Sequence, residues 1–522
     1  MKSLAEVLQS WEAVIGLEVH AELTCLKTKM FCSCAIEYGA SPNTHVCPVC
    51  LGLPGALPVP NRAAIEGIVM AGLACGCEIM RDSMFYRKNY FYPDMSKNFQ
   101  TTQGPIAFCM QGGLDLELVG KAAEERWDLA GTEPLDVGVA QGYRTHIGIT
   151  RIHMEEDAGK MVHVGGSDGR ITGAAYSLID YNRCGTPLIE LVTEPDMRSP
   201  EEARAFLQKL RQIYLTLGIS DVSMEEGSLR CDGNVSLRRR GVSELGVKTE
   251  LKNMNSFKNL HDGLAYEICR QAEVLEEGGS VRQETRHWEP AQKRTFTLRV
   301  KETADDYRLF PEPDLAPYHL SDEFVAGVAA RLPELPDEKK TRYLEEYGLP
   351  WPDAVTLSSD PALSRFLDAA LMDEGGAAAV KLARPLANLL LNEVSAWLAS
   401  PQAPQSLALA AFSPQSLAEL AELACAGTLS SKQVKEVFAQ MAESGTSPKQ
   451  IVKEQGLRQV SDVDAIQQVV AEVLAANPEK VDEYRAGKTG LLGFFVGQAM
   501  KAMGGQGNPK LINQLLEDAL KG

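Results

Sequence analysis

The sequence contains no uninterrupted apolar run near the roughly 18 residues that a membrane-spanning helix requires, and this excludes a helical membrane protein. Its opening residues, MKSLAEVLQSWEAV, lack the apolar segment and small-residue cleavage site of a secretory leader, so a cytoplasmic location is expected. No Walker-type phosphate loop is present, because Gly487-Lys488-Thr489 has Asp482 where the first glycine belongs. No G-x-G-x-x-G follows a strand pattern, and no G-x-S-x-G elbow occurs. A nucleotide, if one is handled, is therefore held by another geometry, through a metal. Fixed-period repeats and low-complexity tracts are also missing. What remains is 522 residues, 44% hydrophobic and 23% charged, a globular composition that suggests three or four domains.

Charge narrows the partners. Fifty-two Lys and Arg face seventy Asp and Glu, for a net −18. Such a chain is a poor non-specific binder of nucleic acid, which needs many phosphate-neutralising cations. The end of the chain differs: Arg485, Lys488, Lys501, Lys510 and Lys521 face only Glu517 and Asp518. That stretch reads either as a solvated helix face or as a local patch for RNA.

Twelve cysteines in a long chain without a leader do not suggest disulfides. Four of them follow a pattern, Cys32-x-Cys34 and then Cys47-Pro-Val-Cys50. Two short-spaced thiolate pairs joined by a loop suit tetrahedral Zn²⁺, and four protein ligands leave no open position for chemistry. The spacing predicts a structural zinc knuckle over residues 32–50, with His45 and Cys25 as substitute ligands; the plain alternative is a set of reduced buried thiols. Cys75-Gly-Cys77 reads as packing.

Hydrophobic periodicity gives strands at Val14–His20, at Asn234–Arg238 and at Arg144–Glu155, where Arg151, His153 and Glu155 share one face. One helix opens at Pro200 behind an N-capping Ser199 and ends near Gly218. A second starts near Ser256, carries Leu260, Leu264 and Ile268 on one face, and stops at Gly278-Gly279. The proline-rich Phe310–Pro317 marks a boundary, and the pattern beyond it is almost wholly helical. The expected class is α+β: a mixed β-rich domain with helices over 1–300, an all-α connector over 301–410 and a small all-α tail over 411–522.

Glu18 and His20 are two apart in a strand and so share a face, presenting a carboxylate and an imidazole together. A carboxylate inside an apolar strand is costly unless an ion or hydrogen bonds compensate, although alone such a pair also fits a structural couple. Further acids occur in His153-Met-Glu-Glu-Asp-Ala-Gly-Lys160, and Glu190 lies inside the apolar run Gly185–Val192. One imidazole with several carboxylates forms an oxygen-rich site suited to Mg²⁺ or Mn²⁺. These segments lie far apart in the chain, and a shared site requires that they converge. Arginines and lysines beside carboxylates, as at Met224–Asp232, Glu250–Ser256 and Lys301–Arg308, read as either salt-bridge networks or anion contacts.

At this point the motifs resemble a known family. GLEVH (Gly16–His20), RKNYFYPD (Arg87–Asp94), HMEEDAGK (His153–Lys160), NRCGTPLIELVTEPD (Asn182–Asp196), MEEGSLRCD (Met224–Asp232), ELKNMNSF (Glu250–Phe257), DDYRLFPEPD (Asp305–Asp314) and GFFVGQAMKAMGGQGNP (Gly493–Pro509) are similar, in collinear order, to the B subunits of the aspartyl/glutamyl-tRNA(Asn/Gln) amidotransferases. The resemblance implies a cradle-shaped amino-terminal domain, a helical connector and a tail that meets tRNA. It implies ATP-dependent phosphorylation of the side-chain carboxylate of Glu-tRNA(Gln) or Asp-tRNA(Asn), then displacement of phosphate by ammonia. On motif match the Mg²⁺ positions, and with them the catalytic ones, are Glu18, His20, Glu155 and Glu190. Lys160, Arg230, Lys252 and Arg308 are implied as phosphate or carboxylate contacts, and Lys488, Lys501 and Lys510 as tRNA contacts. No amidase signature occurs, so ammonia is expected from an amidase (glutaminase) partner, with a small third subunit completing a heterotrimer. Lys121–Gly142 and Gly165–Gly173 match no motif and read as surface insertions. A non-catalytic tRNA-binding scaffold with a zinc knuckle is the alternative from another class.

Overall fold

The computed structural model describes residues 2–90, 95–165, 173–300, 307–372, 375–401, 403–404, 406–457, 463–504 and 507–521. Most of the Gly165–Gly173 loop, the end of the RKNYFYPD motif, Gly505-Gln506 within GFFVGQAMKAMGGQGNP, the start of DDYRLFPEPD, and the Lys510 side chain lie outside the described residues. The chain divides into two compact units, residues 1–335 and 336–522.

The first unit is built on a thirteen-stranded sheet. Its main strands are β1 Trp11–Glu22, β2 Phe85–Asn89, β3 Phe99–Gln103, β4 Cys109–Val119, β5 Gln141–Glu156, β8 Pro187–Thr193, β9 Leu229–Arg239, β10 Thr249–Lys252, β11 Glu284–Glu289 and β12 Arg294–Val300. The strands β6 Lys160–Val164 and β7 Tyr176–Asp180 form a separate two-stranded pair. Across the sheet the order is β12-β11-β10-β9-β1-β8-β5-β3-β2 and then the short strand Phe310–Pro311, with β4 pairing on β5. Within this order only β10 and β11 run parallel. Three helices, α1 Arg62–Ala74, α2 Pro200–Leu217 and α3 Phe257–Glu276, pack against it.

Local chemistry explains the helix ends. The Ser199 hydroxyl accepts from the Glu202 N–H at the start of α2, and Gly218 takes φ +67° at its end. Ser256 caps α3 in the same way. The alternation in β1 buries Ile15, Leu17, Val19 and Ala21 on one face, in a core shared with Phe206, Leu210, Leu264 and Ile268 of α2 and α3. Gly16, Glu18, His20 and Glu22 are left on the other face.

The stretch Lys121–Gly142 differs from a simple surface insertion. Glu133–Asp136 pairs with β5, the Arg126 guanidinium ion-pairs with the fully buried Glu202 at 2.7 Å, and Glu125 bonds His261 at 2.7 Å. The carboxylate of Glu202 attracts this segment inward, because a buried charge needs a partner.

The second unit is helical from Pro336–Glu345 to Pro509–Lys521. It holds two separate apolar cores. One runs from Tyr343 to Val452 and includes Leu386, Leu390, Phe412, Leu417 and Phe438; the other joins Ile466, Val470, Phe495, Ala499, Ile512 and Leu516. The first of these cores crosses residue 410, where the connector was expected to end. There Pro414 stands in the first turn of the helix Pro414–Cys425 behind a capping Ser413, a position that begins a helix within a core. Among the described residues, no helix is long and apolar enough to cross a membrane.

Candidate functional site

Antiparallel register converts the sequence alternation into one polar face. Residues directly opposite each other on paired strands share a side of the sheet. Glu18 stands opposite Asp232 on β9 and Val192 on β8; His20 stands opposite Arg230 and Glu190. Glu190 in turn faces His153 on β5, and Glu155 faces Leu188 and Thr102. Segments more than 200 residues apart in sequence thus meet on adjacent strands.

The side chains close on two overlapping groups. Glu18, His20 and Glu190 each offer a ligand atom, all within 4.8 Å of one another, and His153, Glu155 and Glu190 do the same. His20 Nε2 is 3.2 Å from the Glu190 carboxylate and 3.9 Å from that of Glu18. His153 Nε2 lies 3.4 Å from Glu190. Cations border the acids: Lys88 Nζ is 3.3 Å from Glu155, and Lys252 pairs with Asp232. Gln100 Nε2 donates to Glu155 at 2.8 Å. A donor set of one or two imidazoles and three carboxylate-bearing residues, largely buried, fits a hard divalent cation such as Mg²⁺.

Electrostatics follows from this crowding. Burial raises the Glu18 carboxyl, and the neighbouring Glu190 charge raises it further. Glu190 is held well below the usual carboxylate range: burial opposes this, but the charge and hydrogen bond of His153 and those of His20 outweigh it. Burial pulls His20 down, yet its bond to Glu190 and the surrounding carboxylates leave it raised.

Of the other residues the sequence singled out, Arg230 donates to Asp157 at 2.9 Å, beside Arg183 at 3.5 Å from the same carboxylate. Lys252 joins the acidic face through Asp232. Lys160 is exposed at the start of β6, opposite Asp180, and so belongs to the hairpin rather than to the acidic face. Arg308 follows the undescribed 301–306, takes φ +44°, and gives its carbonyl to Asn89. In the second unit Lys488 ion-pairs with Glu483 at 3.1 Å, and Lys501 is exposed in the last turn of the helix Leu492–Ala502. His153 was not among the expected ligands. Its signal was present in the alternation Arg151, His153, Glu155. Arg151 Nε lies 3.4 Å from His153 Nδ1 on the same face.

The cysteine pattern also converges. Sγ atoms of Cys32, Cys34, Cys47 and Cys50 all lie within 4.8 Å of one another, and the Cys47 N–H donates to Cys50 Sγ at 3.0 Å. This cluster can bind a metal. Cys25 is exposed outside it, and His45 pairs with Glu37 at 3.2 Å instead.

Two family models match the chain: "GatB/GatE catalytic domain" over residues 13–326 and "GatB domain" over residues 374–520. A relative in Carboxydothermus hydrogenoformans is 46% identical over 98% of this chain and 99% of its own length, and is named as the B subunit of an aspartyl/glutamyl-tRNA(Asn/Gln) amidotransferase. Proteins of the same name in Acaryochloris marina (45% identical, 100% of both chains) and Thermosynechococcus vestitus (47%, 98% of this chain and 97% of the relative) are similar along their whole length. The chain belongs to the family of aspartyl/glutamyl-tRNA(Asn/Gln) amidotransferase B subunits.

Proposed function

We propose that this chain is the amide-forming subunit of a tRNA-dependent amidotransferase, converting the side-chain carboxylate of misacylated Glu-tRNA(Gln), Asp-tRNA(Asn) or both into the amide at the expense of ATP. The observation that carries the reading is the meeting of Glu18, His20, Glu190, His153 and Glu155 on one face of the sheet. A carboxylate is a poor electrophile, so amide formation passes through an acyl phosphate, and phosphoryl transfer depends on positioning and charge neutralisation. Glu18, His20, Glu155 and Glu190 would hold Mg²⁺, which neutralises phosphate oxygens when bound. Arg230 and Lys252 border that face and would orient the phosphates or the substrate carboxylate; Lys160 and Arg308 are placed in the same role by motif match alone.

Ammonia comes from glutamine through an amidase (glutaminase) partner, with a small third subunit completing the heterotrimer, in the cytoplasm. Residues 1–335 carry the chemistry, and 336–522 present Lys488, Lys501 and Lys510 to tRNA. Cys32, Cys34, Cys47 and Cys50 hold a structural Zn²⁺, a role supported by their mutual distances.

Reconstitution with the partner subunits and misacylated tRNA tests the reading. Glu18→Ala is expected to abolish amide formation, with glutamine or with ammonium as donor, while tRNA binding stays intact. Unchanged turnover would leave a tRNA-binding scaffold instead.

A further inference from the structure

Lys29 is fully buried, and none of the described carboxylates reaches ion-pair distance of its ammonium group. The other lysine in this part of the core, Lys97, is paired: its Nζ lies 2.6 Å from Glu156. Lys29 Nζ instead donates to two carbonyls, His45 O at 2.8 Å and Tyr181 O at 3.1 Å. A buried ammonium satisfied only by neutral acceptors is unfavourable unless negative charge lies close by. The neighbouring Cys184 thiol does not supply it, since burial pushes that thiol up to about 12. The Glu156 carboxylate lies near the Lys29 stem but is already paired with Lys97, and the four clustered cysteines adjoin Lys29 through its contacts with Cys34 and His45.

Position supports the same conclusion. Lys29 N–H donates to the Cys34 carbonyl at 3.0 Å, so the residue sits on the first arm of the knuckle, which carries Cys32 and Cys34. Its side chain then crosses to His45, in the loop that leads to Cys47 and Cys50 on the second arm. The adjacent Met30 N–H donates to Gly185 O, and Tyr181 lies in the same loop ahead of β8. One buried cation therefore ties both arms to the segment that precedes Glu190.

We infer that Lys29 is the positioning residue and internal counter-charge of a tetrathiolate–metal centre, offsetting the two net negative charges that four thiolates leave around a divalent cation. This rests on the zinc reading proposed above. Four neutral thiols, or two disulfides, carry no net charge and would leave Lys29 with only the Glu156 carboxylate that Lys97 already engages.

The test uses the full-length protein purified with zinc and the isosteric variant Lys29→Met. Zinc transfer to a chromophoric chelator is expected to show an affinity about 10–100-fold weaker than wild type. In the Co²⁺-substituted protein, the sulfur-to-cobalt charge-transfer band is expected to move to lower energy, because removing the cation raises the donor levels of the thiolates. Lys29→Gln is the second arm should Lys29→Met not fold: it keeps an amide donor and removes only the charge, and the same weakening and band shift are expected. Wild-type zinc retention and an unshifted band in a folded Lys29 variant overturn the inference while leaving the zinc site standing. Wild-type protein that holds no zinc, or whose four cysteines are oxidised, overturns the metal reading and this inference together.

Discussion

His20 and Glu190 are cross-strand partners on β1 and β8, with the imidazole Nε2 3.2 Å from the carboxylate. His153 approaches the same carboxylate from the strand on its other side, at 3.4 Å. Glu190 is thus the one residue common to both ligand groups of the sheet face.

Removing that shared carboxylate should cost more than removing a supporting imidazole. Glu190→Ala is expected to abolish Mn²⁺ binding, followed by paramagnetic resonance as a stand-in for Mg²⁺. His153→Ala, which removes a group that orients Glu190, is expected to weaken it by about 10–100-fold. Equal affinities in the two variants would contradict a ligand role for Glu190.

Glu202 is completely buried and accepts from Arg126 Nη1 at 2.7 Å, Tyr143 Oη at 2.9 Å and the Arg198 N–H at 2.6 Å. Glu202→Ala leaves a buried guanidinium without its partner, for which a loss of about 3–5 kcal/mol is expected in urea unfolding of the purified protein. A loss below about 1 kcal/mol would show that water replaces the carboxylate.

His261 is raised to about 9 by its hydrogen bond to Glu125, with burial opposing and Asp262 assisting. The folded protein therefore binds this proton more tightly than the unfolded chain, whose histidine titrates near its ordinary 6.5. The resulting stabilisation is complete below that value and disappears as the pH rises through about 9. Wild type should lose stability relative to His261→Gln over this interval. Parallel profiles for the two proteins would contradict the assignment.

Lys488 and Lys501 should act as phosphate contacts. Replacing either by alanine is expected to lower tRNA affinity regardless of the esterified amino acid, and to reduce the slope of log K against log salt by about 1. An unchanged slope would mark both as solvated surface charges.

Much of the acidic face was legible in sequence because strand alternation has a period of two. Glu18 with His20, and Arg151 with His153 and Glu155, could each be assigned to a common face before any pairing was known. The caps at Ser199 and Ser256 likewise fixed where α2 and α3 begin. Register was not legible: that His20 meets Glu190 and not Leu188 depends on long-range pairing of strands far apart in the chain. The inward reach of Arg126 and Glu125 was hidden for a related reason. Their partners, Glu202 and His261, lie on helices whose packing no local pattern reveals. Lys29 looked like any surface lysine, since burial of a cation leaves no mark in composition or spacing.

Glu155 and Glu156 are consecutive at the end of β5, and the pleat sends them to opposite sides. Glu155 receives Lys88 and Gln100 on the acidic face, whereas Glu156 receives Lys97 and the Thr101 N–H behind it, next to the cysteine cluster. A single peptide unit is therefore the whole partition between the two chemistries. Inserting or deleting one residue there would exchange their carboxylates, so this stretch of chain admits changes of side chain but not of length.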